Sequence, residues 1–471
     1  MEKGNRLNKL SLPLLRVCDN KIQKRKSSSP PCVCDGMERD RMKMSKRNCY
    51  ICAFETDRMR NWSTLPSHLL DLIAECLDLP DLLRFGFVCQ TWKSVCGPLQ
   101  FRNHLPWLIV PIKNAASNTM TFDDKDNVGF FSLCDDKIYK AEIPELSNRR
   151  ICASLPGGWL MTVHENSEIQ LFHPFSPKLS LIHLPPLMEL PCVLGTIKKE
   201  GVASPLYYII TKFGSPEPLF FPPAYVRDHC IHKVAMSSSL ITSDTIIMII
   251  QDAGHSMAFY RFGGNQEKWV PATQNQNHYN FQDITYHSGK FYAVHSNGYV
   301  IAIQGLDDTE TLPYGEQVIS QHPGDLAPRY YILESSGDLL VVLRYSVNLG
   351  EKDPNDMLQV RPFKTVGFKV FKIEFGVPDN KWVQIHNLGD RSLFLGYNSS
   401  FSLSSTHFSG CKPNHVYFTD DLGHCCYSEG HGGHDLGIFN LEDGGIESFL
   451  YPSNTLLVTP PPIWFAPNIV S

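Results

Sequence analysis

Thiols, imidazoles and paired carboxylates are the groups through which this chain could do chemistry. Cys32 and Cys34, followed by Cys49 and Cys52, supply the four thiols that close a tetrahedral zinc site. The second pair has knuckle spacing, but the first is C-x-C and the glycine turns of a zinc ribbon are missing, so unpaired thiols in a tail are expected. His424, Cys425, Cys426, His431 and His434 gather ligands suited to zinc or copper. They sit in a Gly-rich run between two strand-like stretches, and such a loop does not fix four ligands. The expectation is therefore no metal and no cofactor. The acidic pairs Asp123-Asp124, Asp135-Asp136, Asp307-Asp308 and Asp420-Asp421 fall at turn signals, where Asp bonds its own backbone and stays solvated. There is no Gly-x-Ser-x-Gly elbow and no phosphate-cradling glycine loop. Trp159, Trp269, Trp382 and Trp464 would suit an aromatic cage, but a β-rich core absorbs such rings routinely, and core packing is expected.

The whole chain sets the frame for these groups. Its 471 residues allow more than one domain, and 42% hydrophobic with 19% charged residues is an ordinary globular balance. The longest aliphatic run, Ile246–Ile250, is far short of a bilayer span. Lys3, Arg6 and Lys9 precede an apolar stretch that Pro13 and Arg16 interrupt, with no small-residue cleavage site after it, so a secretory signal is not expected. Fifteen scattered cysteines suit free thiols in a reducing compartment. The reading is an intracellular protein, nuclear, cytoplasmic or both, with no membrane contact. Residues 1–60 hold 15 Lys and Arg against 7 Asp and Glu, while the remainder holds 28 against 41. A basic head on an acidic body is not the charge plan of a nucleic-acid-binding globule.

Residues 1–61 are sparse in apolar groups and without period, which predicts a disordered basic segment. The cluster Lys24–Lys26 admits two readings, a nuclear-import signal or a solvated tail. Order begins at Trp62. Leu69, Ile73 and Leu77 fall at i, i+4 and i+8, with Leu72 and Cys76 beside them, giving one helix an apolar face. Pro66 suits its first turn, Leu79-Pro80 stops it, and Asp81 can cap a short second helix carrying Leu82, Leu83 and Phe85. Val88, Trp92 and Val95 stripe a third. A unit of about 40 residues holds little core of its own, so its apolar faces must finish on the rest of the chain or on a partner.

From about Phe101 the helical period vanishes and short alternating β runs take over. Three hairpins are legible. Ile246–Gln251 turns into Met257–Phe262, Lys290–His295 turns at Ser296-Asn297-Gly298 into Tyr299–Gln304, and Tyr330–Leu333 turns at Ser335-Ser336-Gly337 into Asp338–Tyr345. Their starts near Thr245, Gly289 and Asp338 are 44 and 49 residues apart, and Lys-Trp-Val recurs at Lys268–Val270 and Lys381–Val383. That spacing is close to a propeller blade and leaves room for about seven or eight, fewer if long loops intervene. A pair of β-sandwiches is the other architecture, and it does not account for the repeat.

Two resemblances follow from these residues. Leu65-Pro66, Leu69, Ile73, Leu77, Asp81-Leu82-Leu83, Val88-Cys89 and Trp92-Lys93 resemble the F-box, the helical module that docks the SKP adaptor of cullin-based ubiquitin ligases. The runs ITYHSGKFYAVHSNGYV, YYILESSGDLLVVLRY and KWVQIHNLGDRSLFLGYNSSFSLSS, with NHVYFTDD and a terminal IWFAP, resemble the C-terminal domain of the plant F-box family of the KIB or kelch-like type. The resemblance implies a mainly β chain with a small all-α module: a disordered segment at 1–61, a three-helix F-box at 62–100 and a β-propeller-like substrate-recognition domain at 101–471. It also implies a non-catalytic substrate-recognition subunit of an SKP–cullin–F-box ligase, with a separate RING subunit recruiting the E2. Leu65, Pro66, Leu69, Ile73, Leu77, Leu82, Val88 and Trp92 are the expected adaptor-binding residues. The alternative is a ligase-independent interaction scaffold; an enzyme would need convergent carboxylates or histidines in an open central channel. Two segments exceed the usual connection of about 4–6 residues, Asn348–Pro362 and Leu422–Asp435, and either could contact a target protein.

Overall fold

The computed structural model describes residues 62, 65–74, 77, 79–86, 88–95, 106–110, 127–133, 137–146, 148–173, 180–198, 206–210, 217–251, 256–264, 267–273, 280–308, 311–321, 329–348, 363–376, 378–397, 399–408, 410–421, 435–449 and 462–465. Both cysteine pairs of the N-terminal segment, the His/Cys run 424–434, two acidic pairs (123–124 and 135–136) and the interiors of the two long segments, 349–362 and 422–434, lie outside these residues.

Three short helices come first: α1 (Ser67–Ala74), α2 (Leu79–Gly86) and α3 (Gln90–Val95). Strands follow in sets. The first set is β1 (Trp107–Val110), β2 (Asn127–Ser132) and β3 (Lys137–Glu142). Next come β4 (Arg149–Leu155), β5 (Trp159–His164), β6 (Ile169–His173) and β7 (Ser180–Leu184). A smaller unit holds β8 (Val193–Lys198), β9 (Leu206–Ile210), β10 (Leu219–Phe221) and α4 (Pro223–His229). Four-stranded meanders then run through β11 (Ile231–Met236), β12 (Ile246–Gln251), β13 (Ser256–Arg261) and β14 (Val270–Pro271), and through β15 (Phe281–His287), β16 (Lys290–His295), β17 (Val300–Gln304) and β18 (Tyr314–Ile319). Another holds β19 (Arg329–Ser335), β20 (Asp338–Asn348), β21 (Phe363–Glu374) and β22 (Lys381–Ile385). Last are β23 (Arg391–Leu395), β24 (Phe401–Ser404), β25 (His415–Phe418), β26 (Gly437–Asn440), β27 (Ile446–Ser448) and β28 (Ile463–Phe465).

Among the described residues these strands make seven sheets. Six of them form a ring, because their innermost strands adjoin in the order β28, β4, β11, β15, β19, β24 and the blades pack face to face through apolar cores. The sequence spacing left room for seven or eight blades. The difference is the three-stranded sheet β10-β9-β8, which with α4 inserts between blades two and three and shares their core through Val193, Tyr208, Ile210 and Val226. The ring closes on β28, which pairs with β1 (Trp107↔Phe465, Leu108↔Trp464) and becomes the innermost strand of blade one. The last blade departs from a meander: β23 pairs antiparallel with β24 and parallel with β25, which leaves β24 innermost.

Local chemistry explains the strands. In β12 every residue is buried, and a period of two splits them between cores. Ile247 and Ile249 face blade two and the insert, while Ile246, Met248 and Ile250 face blade four. The hairpins between β15 and β16 and between β19 and β20 turn on Ser288-Gly289 and Ser336-Gly337, with φ values of 46°, 86°, 53° and 83°. Positive φ at both turn positions is the primed geometry that matches strand twist. The recurring tryptophans also have one job. Trp269 Nε1 donates to Pro185 O (2.8 Å) and Trp382 Nε1 to Ser320 O (3.1 Å), in each case the carbonyl just past the outermost strand of the preceding blade. Trp464, fully buried, donates to Leu395 O at the closure between blades six and one.

Candidate functional site

The α1 helix has two apolar faces. Leu70 and Ala74, at i and i+4, are buried, and Leu77, past the end of the helix, is half-buried against the same core. Leu82, Phe85 and Val95 join them. This face closes on Trp107, Ile109, Val128, Phe130, Ile143, Leu146, Ile151 and Phe465, the seam between blades one and two. Phe85 also carries the Trp92 ring at 4.3 Å between centroids, and Trp92 Nε1 donates to Trp62 O (3.0 Å). Opposite, Leu69, Leu72, Ile73 and Val88 stand 40%, 58%, 41% and 38% exposed.

The expected adaptor residues therefore divide. Pro66, Leu69, Ile73 and Val88 are on the surface. Leu65, Leu77 and Trp92 are half-buried against the chain's own core, and Leu82, at 1% exposure, has no side-chain surface to offer a partner in this arrangement. Leu72 belongs with the exposed set, although the sequence pattern placed it only beside the stripe.

At the ring centre the hairpin tip between β23 and β24 crosses the axis. Lys233 Nζ of blade three donates to Gly396 O (2.6 Å), and Ser399 Oγ donates to Val234 O (2.6 Å) of that opposite blade. Ser400 Oγ donates to Asp283 Oδ2 (2.6 Å) in blade four, and the Arg150 guanidinium of blade two lies 5.2 Å from the Tyr397 ring centroid. Asp283 also accepts from the Ile284 and Ile332 amides and stands 3.5 Å from Lys233. Burial pushes the Asp283 carboxyl up and the Lys233 amine down, against their mutual attraction.

A second cluster joins blades five and six. Arg344, fully buried, donates to Asp421 Oδ1 (2.8 Å), Asp435 Oδ2 (2.9 Å), Thr419 O (2.8 Å) and Thr365 Oγ1 (2.7 Å). Tyr331 OH donates to Asp421 Oδ2 (2.7 Å), and burial pushes that phenol up, so it remains a donor. Burial alone would raise Asp421, but the Arg329 and Arg344 guanidiniums outweigh it and hold the carboxyl below its ordinary value. The sequence reading placed Asp420-Asp421 in a solvated turn; they are 2% and 1% exposed. They directly follow the end of β25, and the cation that buries Asp421 lies 77 residues away in the chain. Asp307-Asp308 behaves as expected, with Asp308 capping Thr311 and Asp307 almost wholly exposed. The carboxylates Asp283, Asp421 and Asp435 are thus all engaged in holding blades together, and Gly396, Tyr397, Ser399 and Ser400 of the tip lie across the axis where a substrate channel would run.

Comparison with known proteins agrees with this architecture. The F-box domain family matches residues 62–104, and the family described as KIB1-4 beta-propeller matches residues 130–440. Arabidopsis thaliana F-box protein SKIP23 is 26% identical over 428 residues, covering 86% of this chain and 96% of its own. Arabidopsis F-box protein At2g17036 is 22% identical over 428 residues, covering 86% and 95%. A solved luciferin-regenerating enzyme aligns over 60% of this chain and 95% of its own at 11% identity, with a TM-score of 0.23, too loose to carry an argument. The chain belongs to the KIB1-4 beta-propeller family and carries an F-box ahead of its propeller.

Proposed function

We propose that this protein is the substrate-recognition subunit of an SKP–cullin–F-box ubiquitin ligase. The helices at 62–100 dock an SKP-type adaptor, and the domain at 101–471 presents the target. In this reading the protein is a non-catalytic adaptor: the adaptor and cullin bring the RING subunit and its E2, and the rate gain comes from proximity. The observation that carries it is the divided F-box. Its inner face is consumed by the propeller, while Leu69, Leu72 and Ile73 form an apolar stripe at i, i+3 and i+4 with nothing of this chain over it among the described residues. Among the described residues no helix is long and apolar enough to cross a membrane.

Co-expression with an SKP adaptor, cullin and RING subunit tests the proposal. The wild-type chain should co-purify with the complex and become ubiquitinated when E1, E2 and ubiquitin are added. The Leu69→Ser, Leu72→Ser, Ile73→Ser triple variant should remain folded and do neither. A wild-type chain that is folded yet fails to assemble would favour the ligase-independent scaffold.

A further inference from the structure

Cys192 and Cys230 are unbridged thiols whose sulfurs lie 3.6 Å apart in the buried core of the second seam. Their place in the chain is what matters. Cys192 immediately precedes β8, and Cys230 is the C-terminal cap of α4, directly before β11. Everything between them is the insert, so the pair stands across its neck. The insert is anchored inward by Tyr208, Ile210 and Val226, while Ile197 and Phe220, on the opposite face of its sheet, are 42% and 50% exposed, with Leu194 at the adjoining bulge 57% exposed. Both edges of this sheet, β8 and β10, are unpaired among the described residues. A closure at residues 192 and 230 would therefore govern how firmly a whole apolar surface is held to the ring.

We propose that Cys192 and Cys230 form a reversible disulfide under hydrogen peroxide, clipping the insert at its neck. The more exposed thiol, Cys230 (5% against 2%), attacks one peroxide oxygen through its sulfur and gives up its proton; the O–O bond breaks and a sulfenic acid and water result. Cys192 sulfur then attacks the Cys230 sulfur and displaces its oxygen as water, so two thiols and one peroxide give one disulfide and two waters. The sulfurs must close by about 1.6 Å to reach the roughly 2.0 Å of a disulfide, a change within reach of χ1 rotation. A dithiol reductant reverses the step. Cys152, the third thiol in this core, is pushed up to about 11 by burial, so it stays protonated and does not compete as a nucleophile.

The test uses the full chain, reduced and then treated with a stoichiometric amount of hydrogen peroxide. Alkylation of remaining thiols followed by peptide mass spectrometry should recover a Cys192–Cys230 cross-linked peptide that disappears after dithiothreitol. Hydrogen exchange on the same two samples should show β8–β10 and α4 opening several hundred-fold more slowly when oxidised, roughly the order expected for closing a loop of this length. The Cys192→Ser variant should give no bridge and no peroxide-dependent change, while exchanging like the reduced wild type. Recovery of other oxidised cysteines without this peptide would overturn the proposal, as would the bridge forming with insert exchange unchanged.

Discussion

The inner and outer faces of the F-box are built from similar residues and have opposite fates. Leu70 and Leu69 are neighbours in the chain, yet one is fully buried and the other is 40% exposed. The inner face is covered because blades one and two present Trp107, Phe130, Ile143 and Phe465 to it. Burial of each large apolar side chain there stabilises by about 1.5–3 kcal/mol. The outer face meets no such surface. The lesson is that this F-box is not a bead on a tether: its helices finish the core of the first seam, so an adaptor bound at the outer face, as proposed, would hold the propeller in a set orientation. The insert at the second seam repeats the plan, with one face in the core and apolar side chains on the other.

The comparison breaks most readily at the inner face. Leu82→Ala combined with Phe85→Ala should cost about 2–5 kcal/mol for each residue. Because the core is shared, hydrogen exchange should quicken in β1 and β3 as well as in α1–α3. Helices that melt while blade one keeps its protection would show that the F-box is only lightly attached.

Acid sharpens the contrast from the other side of the ring. The F-box seam is an apolar contact, whereas blades five and six add to their apolar core the buried pair Arg344 and Asp421. Asp421 is held below its unfolded value, so its contribution is fully present above about pH 4 and is lost as pH falls through the folded value. Below about pH 4, β20 and β25 should lose exchange protection before β1 and β2 do. Asp421→Asn should remove that acid step and cost about 3 kcal/mol at neutral pH, since it leaves a buried guanidinium short of a partner. Simultaneous acid loss at both seams would contradict the assignment.

The smallest effect is expected at the outer face. Leu72→Ala, at a side chain 58% exposed, should change thermal stability by no more than about 0.5 kcal/mol. A larger loss in the isolated protein would mean that the outer face is covered by the chain itself.

How much of this was legible in the sequence follows from what each signal measures. The hairpins at Ser296-Asn297-Gly298 and Ser335-Ser336-Gly337 were readable because such turns need residues that tolerate positive φ, as Gly298, Ser336 and Gly337 do. The Lys-Trp-Val recurrence marked a real repeat, with both indoles tied to the preceding blade. Helical periodicity located the F-box but could not say which of two leucine-rich faces the propeller would cover, so Leu82 was assigned to the surface. The stripe Leu70, Ala74 and Leu77 held that information, at i, i+4 and i+7, but was masked by the leucines around it. The insert escaped notice because its short β runs have the composition of blade strands, and only their position in the ring distinguishes them. Arg344 was read as one strand residue among others, because its partners Asp421 and Asp435 are brought to it by tertiary structure alone.

The central claim is that the outer face binds and the inner face holds. It is tested most directly by calorimetric titration of a purified SKP-type adaptor into the wild-type chain and into the Leu69→Ala, Ile73→Ala variant, with thermal unfolding measured on the same preparations. Two truncated anchors at an interface centre should weaken binding by about 2 kcal/mol or more, roughly thirty-fold in Kd, while the unfolding temperature stays within a degree or two of wild type. Unchanged affinity, or a loss of affinity matched by a comparable loss of stability, would contradict the claim.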